Sequence, residues 1–377
     1  DLPLTIPPTP RQTPDVLDAY LAAERRYIAN PNSTHIAGQE ARAEMERVTL
    51  IHCAAPWRAA RRDHLHLGRE RGEQPCPSRA LPMRRGTSAS TSSPPNWSTP
   101  RWARRCRLCS SRGTRIDLLD IGRDGRVDLD QLRELMRDDT ILVAVCAVDS
   151  ELGTIQPIRE IAGIVKPYPG CRLHVDATQA VGKTDLWLDG VDTMSFTAHK
   201  FYGPNGIGAL YKRRGLVIEP QISGGASTTI YRSGTPTLGL AVSLDAALTK
   251  ALAGQDARNA HMQRLHDRLL AGFAAIQPCA RQQPAHAVPH IVNVSVTGVK
   301  GTRFQQALSE QAVCVSVKSA CSSDGLPSKA VFAVSRDRRN ALSSWRISIS
   351  HLTTDAEIDG FLQAFDTCYK TLTNKEN

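Results

Sequence analysis

The sequence predicts an α/β fold, a large mostly parallel sheet followed by a smaller α+β region, and three observations carry this reading. A continuous apolar run, ILVAVCAV at 141–148, reads as a strand covered on both faces of a parallel sheet. Short strands then alternate with helical segments up to about residue 213, the pattern of an α/β sheet. Beyond residue 250 strands and helices mix, which reads as a smaller α+β domain.

Taken in order, 14–29 (PDVLDAYLAAERRYIA) and 37–48 place apolar residues at three- and four-residue spacing and predict helices. DLDQLRELMRDD at 128–139 predicts a third, and Ile158–Val165 a short fourth. LHVDA (173–177), TMSFTA (193–198) and IGALYKR (207–213) read as short strands. From about 236 to 275 the pattern is helical. HIVNVSV (290–296) and WRISIS (345–350) then read as strands, with helices at 301–311 and 355–372. Thr354 and Glu357 have the spacing of a capping box for the last helix. The predicted division is 14–250 for the large domain and 251–377, with residues 1–13, for the small one.

Composition narrows the function. The 377 residues are 41% hydrophobic, ordinary for a globular protein. There is no apolar run of membrane-spanning length and no signal-like N-terminus, so a cytoplasmic protein is expected. Ten irregularly spaced cysteines are too sparse for a disulfide framework and read as reduced thiols. The net charge of +10 would suggest nucleic acid. Its distribution argues against that. Residues 54–113 hold thirteen Arg, no Lys and three acids, Asp63, Glu70 and Glu73, which accounts for the whole excess. The remainder is neutral, as expected of an enzyme acting on a small metabolite. CRLC at 106–109 lacks a second Cys pair and is not read as a zinc site.

Residues 50–113 break the pattern. Arg, Pro and Ser dominate, no periodicity is sustained, and three of the five Trp (Trp57, Trp97, Trp102) fall here. By composition this is a disordered basic linker. So long a structureless insert within an α/β sheet is itself anomalous.

Two motifs carry chemistry. In TMSFTAHKFYGPNGIGALY (193–211), Lys200 follows a strand, beside Thr197 and His199, and precedes a Gly-Pro-x-Gly turn. A Schiff-base lysine needs rigid support and small neighbours, and the hydroxyl and imidazole can serve a phosphate. The same residues also fit a surface lysine before a turn. In LHVDATQAVGK (173–183), Asp176 ends a buried strand and needs a partner there. A protonated pyridine nitrogen is one such partner, and Gln179 could serve the ring's phenolic oxygen. A helix N-cap is the alternative role for the aspartate.

Together these motifs resemble the class V aminotransferase group of fold type I pyridoxal-phosphate (PLP) enzymes, and the cysteine desulfurases within it. The resemblance covers about 14–50 and 115–370, including NPNSTH (30–35), ELGTIQPI (151–158), YRSGT (231–235), SACSS (319–323) and WRISIS (345–350). It implies a large, mostly parallel seven-stranded sheet domain with a smaller α+β domain. It further implies Lys200 as the Schiff-base lysine, Asp176 on the pyridine nitrogen and Gln179 on the ring oxygen. Thr197 and His199 would bind phosphate, and Thr235 would reach the phosphate of a partner subunit in a homodimer. Arg346 and Asn30 would bind substrate, the guanidinium matching a carboxylate. Cys321 would be the loop nucleophile, attacking the sulfur of L-cysteine to leave alanine and a persulfide. Its small, polar surroundings, with Lys318 nearby, suit a thiolate, whereas the other cysteines of the matching regions read as buried hydrophobes.

The chain departs from the family pattern in three places. Asp149 and Ser150 replace the usual Asn pair before Glu-x-Gly. LPLTIPPTP replaces the N-terminal Asp-Asn-Ala-Ala-Thr-Thr strand. The phosphate loop at a helix N-terminus, and a His that stacks on the ring, are missing from 50–113. The genetic code offers a cause. Asp63-His64 is GAY-CAY, which one base further reads AYC, Ile or Thr. Across RDHLHLGRERGEQPCP (62–77) the shifted frame permits A-I-I-F-T-S-G-A-S-E-A-N-N-L-A, the missing motif at its expected place. The segment thus reads as frame-shifted. The functional expectation is a PLP-dependent cysteine desulfurase supplying sulfur to an acceptor or scaffold protein, for iron–sulfur clusters or tRNA thiolation. The alternatives are a selenocysteine lyase, a class V aminotransferase, or an inactive product of a disrupted gene.

Overall fold

The computed structural model of the chain describes residues 12–54, 64–69, 88–91, 115–218, 224, 231, 233–276, 280–282, 284–317 and 327–373. Two helices come first, α1 (Pro14–Arg26) and α2 (Ile36–Ala54). Pro14 sits in the first turn of α1, where its missing N–H costs nothing, and Val16 and Ala23 face inward.

The main sheet has seven strands in the order β1-β7-β6-β5-β4-β2-β3. They are β1 (His64–Arg69), β2 (Ser88–Thr91), β3 (Arg115–Leu118), β4 (Thr140–Cys146), β5 (Arg172–Asp176), β6 (Thr193–Thr197) and β7 (Ile207–Lys212). Neighbours pair in parallel except around β7, which runs against both β6 and β1. The mostly parallel seven-stranded sheet expected from the sequence is present. Two strands fall inside the segment whose composition reads as a structureless linker, and that expectation is corrected. Strand pairing uses backbone groups, so β1 and β2 complete the ladder whatever side chains they carry.

Connections follow sequence chemistry. Helix α3 (Leu129–Leu135) starts where Asp128 caps it, accepting from the N–H groups of Asp130 and Gln131, and is shorter than the 128–139 reading because Met136 leaves the helical conformation at φ −69°, ψ 133°. Helix α4 (Ile158–Val165) buries Ile158, Ile161, Ala162 and Val165 on one face. The helical stretch after 236 is two helices, α5 (Leu238–Ala253) and α6 (Gln255–Ile276), divided at Gly254. The first core packs β4–β7 against α1, α2, α4 and α5.

A second core lies over a three-stranded antiparallel sheet, β8 (Ala280–Gln282), β9 (Ile291–Ser295) and β10 (Ser344–Ser348), ordered β10-β9-β8. Helices α7 (Gly301–Glu310), α8 (Lys329–Ser335), α9 (Arg338–Ser343) and α10 (Asp355–Thr373) complete this region. Alternation splits the faces of its strands. Val292, Val294, Trp345 and Ile347 point into the second core, whereas Ile291 belongs to the first. Phe304 stacks on Trp345 with centroids 5.2 Å apart, and Phe365 closes against both. Thr354 and Glu357 form the expected capping box, the Thr354 N–H donating to Glu357 at 2.7 Å and the Glu357 N–H to Thr354 at 3.2 Å.

Candidate active site

The carboxyl ends of β4, β5 and β6 converge, the usual binding crevice of an open parallel sheet. Each end contributes a polar group from a sharp change of chain direction. Strand β5 ends at Asp176, whose Oδ1 accepts from the Thr178 N–H at 3.0 Å. The chain then turns without forming a helix, so Asp176 closes an Asx turn and the N-cap alternative falls away. Burial pushes the Asp176 carboxyl above the usual carboxylate range, against the opposing effect of Thr178. A desolvated acid of this kind is satisfied by a cation or an N–H donor.

Strand β6 ends at Thr197, whose buried hydroxyl has no hydrogen-bond partner among the described residues. A single 3-10 turn, Ala198–Lys200, follows and sets His199 and Lys200 half-buried at the crevice. The sequence requires this compactness. A Cβ at Gly203 would lie 2.7 Å from the Ala198 methyl and 3.1 Å from that of Ala247. Gln179 lies half-buried in the turn beyond Asp176.

Strand β4 leads to the Asp149–Ser150 substitution. Asp149 is buried and folds the chain back, its Oδ1 accepting from the N–H groups of Glu151 and Leu152 at 2.9 and 2.7 Å. Gly153 completes the turn at φ +73°, where a Cβ would lie 3.1 Å from Ile291 and 3.2 Å from Val288. This close approach brings β9 and β10 against the crevice. Arg346, 5% exposed on β10, donates from Nη1 to the Ser150 carbonyl at 2.5 Å, and its Nε has no partner among the described residues. Burial raises the Asp149 pKa, while its backbone donors and Arg346 oppose the rise. A buried guanidinium with an unused donor is suited to receive a carboxylate.

The structure therefore brings Asp176, Thr197, His199, Lys200 and Arg346 to one side of the sheet. Asn30 and Thr235 are joined to each other, Asn30 Nδ2 donating to Thr235 Oγ1 at 3.2 Å, and both are exposed. Cys321 and Lys318 lie outside the described residues. The described residues flanking them are anchored at the site. Ser316 exchanges two backbone hydrogen bonds with Arg346, and the Ser328 hydroxyl donates to buried Glu151 at 2.6 Å. Of the other cysteines of the matching regions, Cys146, Cys171 and Cys368 are buried as expected, Cys314 is exposed, and Cys279 lies outside the described residues. Cys314 lies between the buried Val313 and Val315, so alternation turns it outward.

Sequence reading gave no role to Lys183, His174 or His290. Burial, with the charges of Lys200 and Arg346, pulls the Lys183 ammonium down to about 7. His174 on β5 contacts Thr193 at 2.9 Å and Ser195 at 3.3 Å on β6, and burial holds it neutral down to about 3. His290 is buried with neither ring nitrogen partnered among the described residues, and faces the charges of Lys183 and Arg346. Lys183 belongs to the quoted DATQAVGK motif; only the fold shows that it lies within reach of the Arg346 charge.

An α/β enzyme with a lysine and an acid on adjacent parallel strand ends is the class that this geometry defines. Residues 97–361 match the model of the family "Aminotransferase class-V", and the chain belongs to that family. It is 38% identical over 277 residues to the mitochondrial cysteine desulfurase of Eremothecium gossypii, covering 71% of this chain and 56% of that protein. It is 39% identical over 259 residues to the cysteine desulfurase IscS of Methylococcus capsulatus, covering 67% of this chain and 64% of that protein. The chain thus aligns with somewhat over half the length of these relatives. Among solved structures, a NifS-like protein superimposes with a TM-score of 0.85 at 27% identity, over 97% of this chain and 99% of the other. An apo cysteine desulfurase from Thermococcus onnurineus shares the fold, with a TM-score of 0.80 at 20% identity and coverage of 98% and 95%.

The family implies pyridoxal phosphate, and the described residues fit it. Asp176 is a half-buried acid with a raised carboxyl pKa that a pyridinium N–H would satisfy, and the partnerless Thr197 hydroxyl is placed for a phosphate oxygen. Among the described residues no cluster of ligating side chains suits a metal, and no helix is long and apolar enough to cross a membrane.

Proposed function

We propose that the chain is built as a PLP-dependent cysteine desulfurase, taking sulfur from L-cysteine and releasing L-alanine. The observation that carries this reading is the convergence of Asp176, the Lys200 turn and the buried Arg346 at the strand ends. Bound pyridoxal phosphate supplies an electron sink. Lys200 holds it covalently, Asp176 keeps the ring nitrogen protonated, and Gln179 meets the ring oxygen. Thr197 and His199 take the phosphate, with Thr235 of a second copy in a homodimer. Arg346 binds the substrate carboxylate, and Asn30 closes the substrate side. Cys321 attacks the substrate sulfur as a thiolate and carries it as a persulfide to an acceptor protein, for iron–sulfur clusters or tRNA thiolation. A cytoplasmic setting fits this chemistry.

Borohydride treatment in the presence of pyridoxal phosphate should place the label on Lys200, and label on another lysine would reject the assignment. Cys321→Ser should abolish sulfur release. Retained activity would favour a selenocysteine lyase or an aminotransferase of the same fold. Limited alkylation at neutral pH should modify Cys321 ahead of Cys146 and Cys171, whose thiols burial pushes up, Cys171 to about 12. Exposed Cys314 is the internal standard for access alone.

A second reading concerns the gene. Strand β1 falls on the codons whose shifted frame permits I-F-T-S-G-A, so the phosphate-loop motif would begin at the end of this strand. This favours a frame-shifted 50–113 segment, and a chain that binds cofactor weakly with little or no activity. The coding DNA across 45–118 tests it, since a shifted frame without T-S-G ends the idea.

A further inference from the structure

Lys200 stands at the end of the Ala198–Lys200 turn, and the chain beyond it is held on two sides. Phe201 is buried in the first core, with its N–H on the Ala198 carbonyl. Tyr202 follows at φ +70°, in the left-handed region that a bulky L residue rarely adopts. Glycine would take that conformation freely. A tyrosine held there needs surroundings that over-determine it.

Those surroundings come from the other core. The Tyr202 ring meets His351 edge to face, with centroids 4.4 Å apart and planes at 72°. The Ser350 side chain and the His351 backbone lie against its hydroxyl, and Arg258 of α6 is close by. Ser350 and His351 continue directly from β10. The Ile349 N–H donates to the His290 carbonyl and keeps that extension in the sheet. Arg346 is only four residues back, on the same strand. Tyr202 therefore bridges the lysine turn and the strand that carries the buried arginine.

We propose that Tyr202 is a positioning residue that ties the Lys200 turn to the Ser350–His351 extension of β10, so that the lysine amine is placed relative to Arg346. This rests on the reading of Lys200 and Arg346 as cofactor and substrate residues. Tyr202 itself touches neither. It acts through the backbone of residues 200–203, and its strained conformation is the cost of reaching across.

The test uses the whole chain without added cofactor. Amide hydrogen exchange across 199–206 is measured in the unsubstituted protein and in Tyr202→Gly, His351→Ala and His351→Phe. The amine of Lys200 is titrated in each by trace acetylation with acetic anhydride across pH. Tyr202→Gly and His351→Ala should accelerate exchange severalfold in 199–206 and leave exchange in β4 and β5 unchanged. They should also displace the Lys200 acetylation profile along the pH axis, because the amine moves relative to the half-buried surroundings of the turn that hold it. His351→Phe retains an aromatic partner and should restore both readouts. Unchanged exchange in Tyr202→Gly overturns the bridge. Faster exchange with an unmoved acetylation profile overturns the positioning role and leaves Tyr202 as packing between the cores. Neither readout needs pyridoxal phosphate, so absence of borohydride label on Lys200 would count against the proposed function alone.

Discussion

Residues 115–373 and 54–113 contribute to one sheet by different means. In the first region side-chain pattern, burial and strand position agree. Thr140–Cys146 is apolar because both faces are covered, and His174, Thr193 and Ser195 form a hydrogen-bonded polar group on neighbouring strands. In the second, His64–Arg69 and Ser88–Thr91 occupy strand positions within a stretch dominated by Arg, Pro and Ser. The contrast separates two determinants that usually coincide. Position in a sheet is demanded by topology and backbone hydrogen bonding, while stability and chemistry depend on the side chains that stand there.

Restoring the reading frame across 50–113 would change that contrast most. A phosphate loop adds charge-assisted hydrogen bonds worth about 1.5–3 kcal/mol each, so three bonds at the low end should tighten cofactor binding on the order of a thousandfold. Spectrophotometric titration with pyridoxal phosphate measures the change; equal affinity before and after repair would mean that the segment already serves the phosphate. Within the well-patterned region, Phe365→Ala removes a 1%-exposed ring packed against both Phe304 and Trp345. It should cost about 3–5 kcal/mol, read as a fall in the denaturant midpoint. A loss under about 1 kcal/mol would show that the second core is loosely filled.

His174 stays neutral down to about 3 when folded, against an ordinary value of 6.5. The unfolded chain takes up the proton first, so stability is full above 6.5 and declines as pH falls toward about 3. The slope approaches about 1.4 kcal/mol per pH unit for one proton. Denaturant melts at pH 7.5, 5.5 and 4.5 should show it, and His174→Gln should remove this component. An unaltered slope in the variant would place the acid sensitivity elsewhere. Smallest is Thr354→Ala, which opens the capping box and should cost about 1 kcal/mol, with helix α10 otherwise intact.

Much of the fold was legible because local rules suffice for it. The apolar run 141–148, the helix face of Ile158–Val165 and the Thr354/Glu357 spacing each express a periodicity or a cap that acts within a few residues. Asp176, Thr197, His199 and Lys200 were legible for a related reason. The small and polar residues that a tight strand-end turn requires stand beside the groups that it positions.

The sequence by itself determined the α/β class, the strand ends that carry the acid and the lysine, and the family resemblance. Only the tertiary structure decided that Lys183 and His290 come within reach of the Arg346 charge, that Cys314 is exposed, that Asn30 meets Thr235, and that Tyr202 reaches His351. These pairings join residues far apart in the chain through the approach of two cores. No local propensity encodes such an approach, because its free energy comes from burying surfaces that each segment alone leaves exposed.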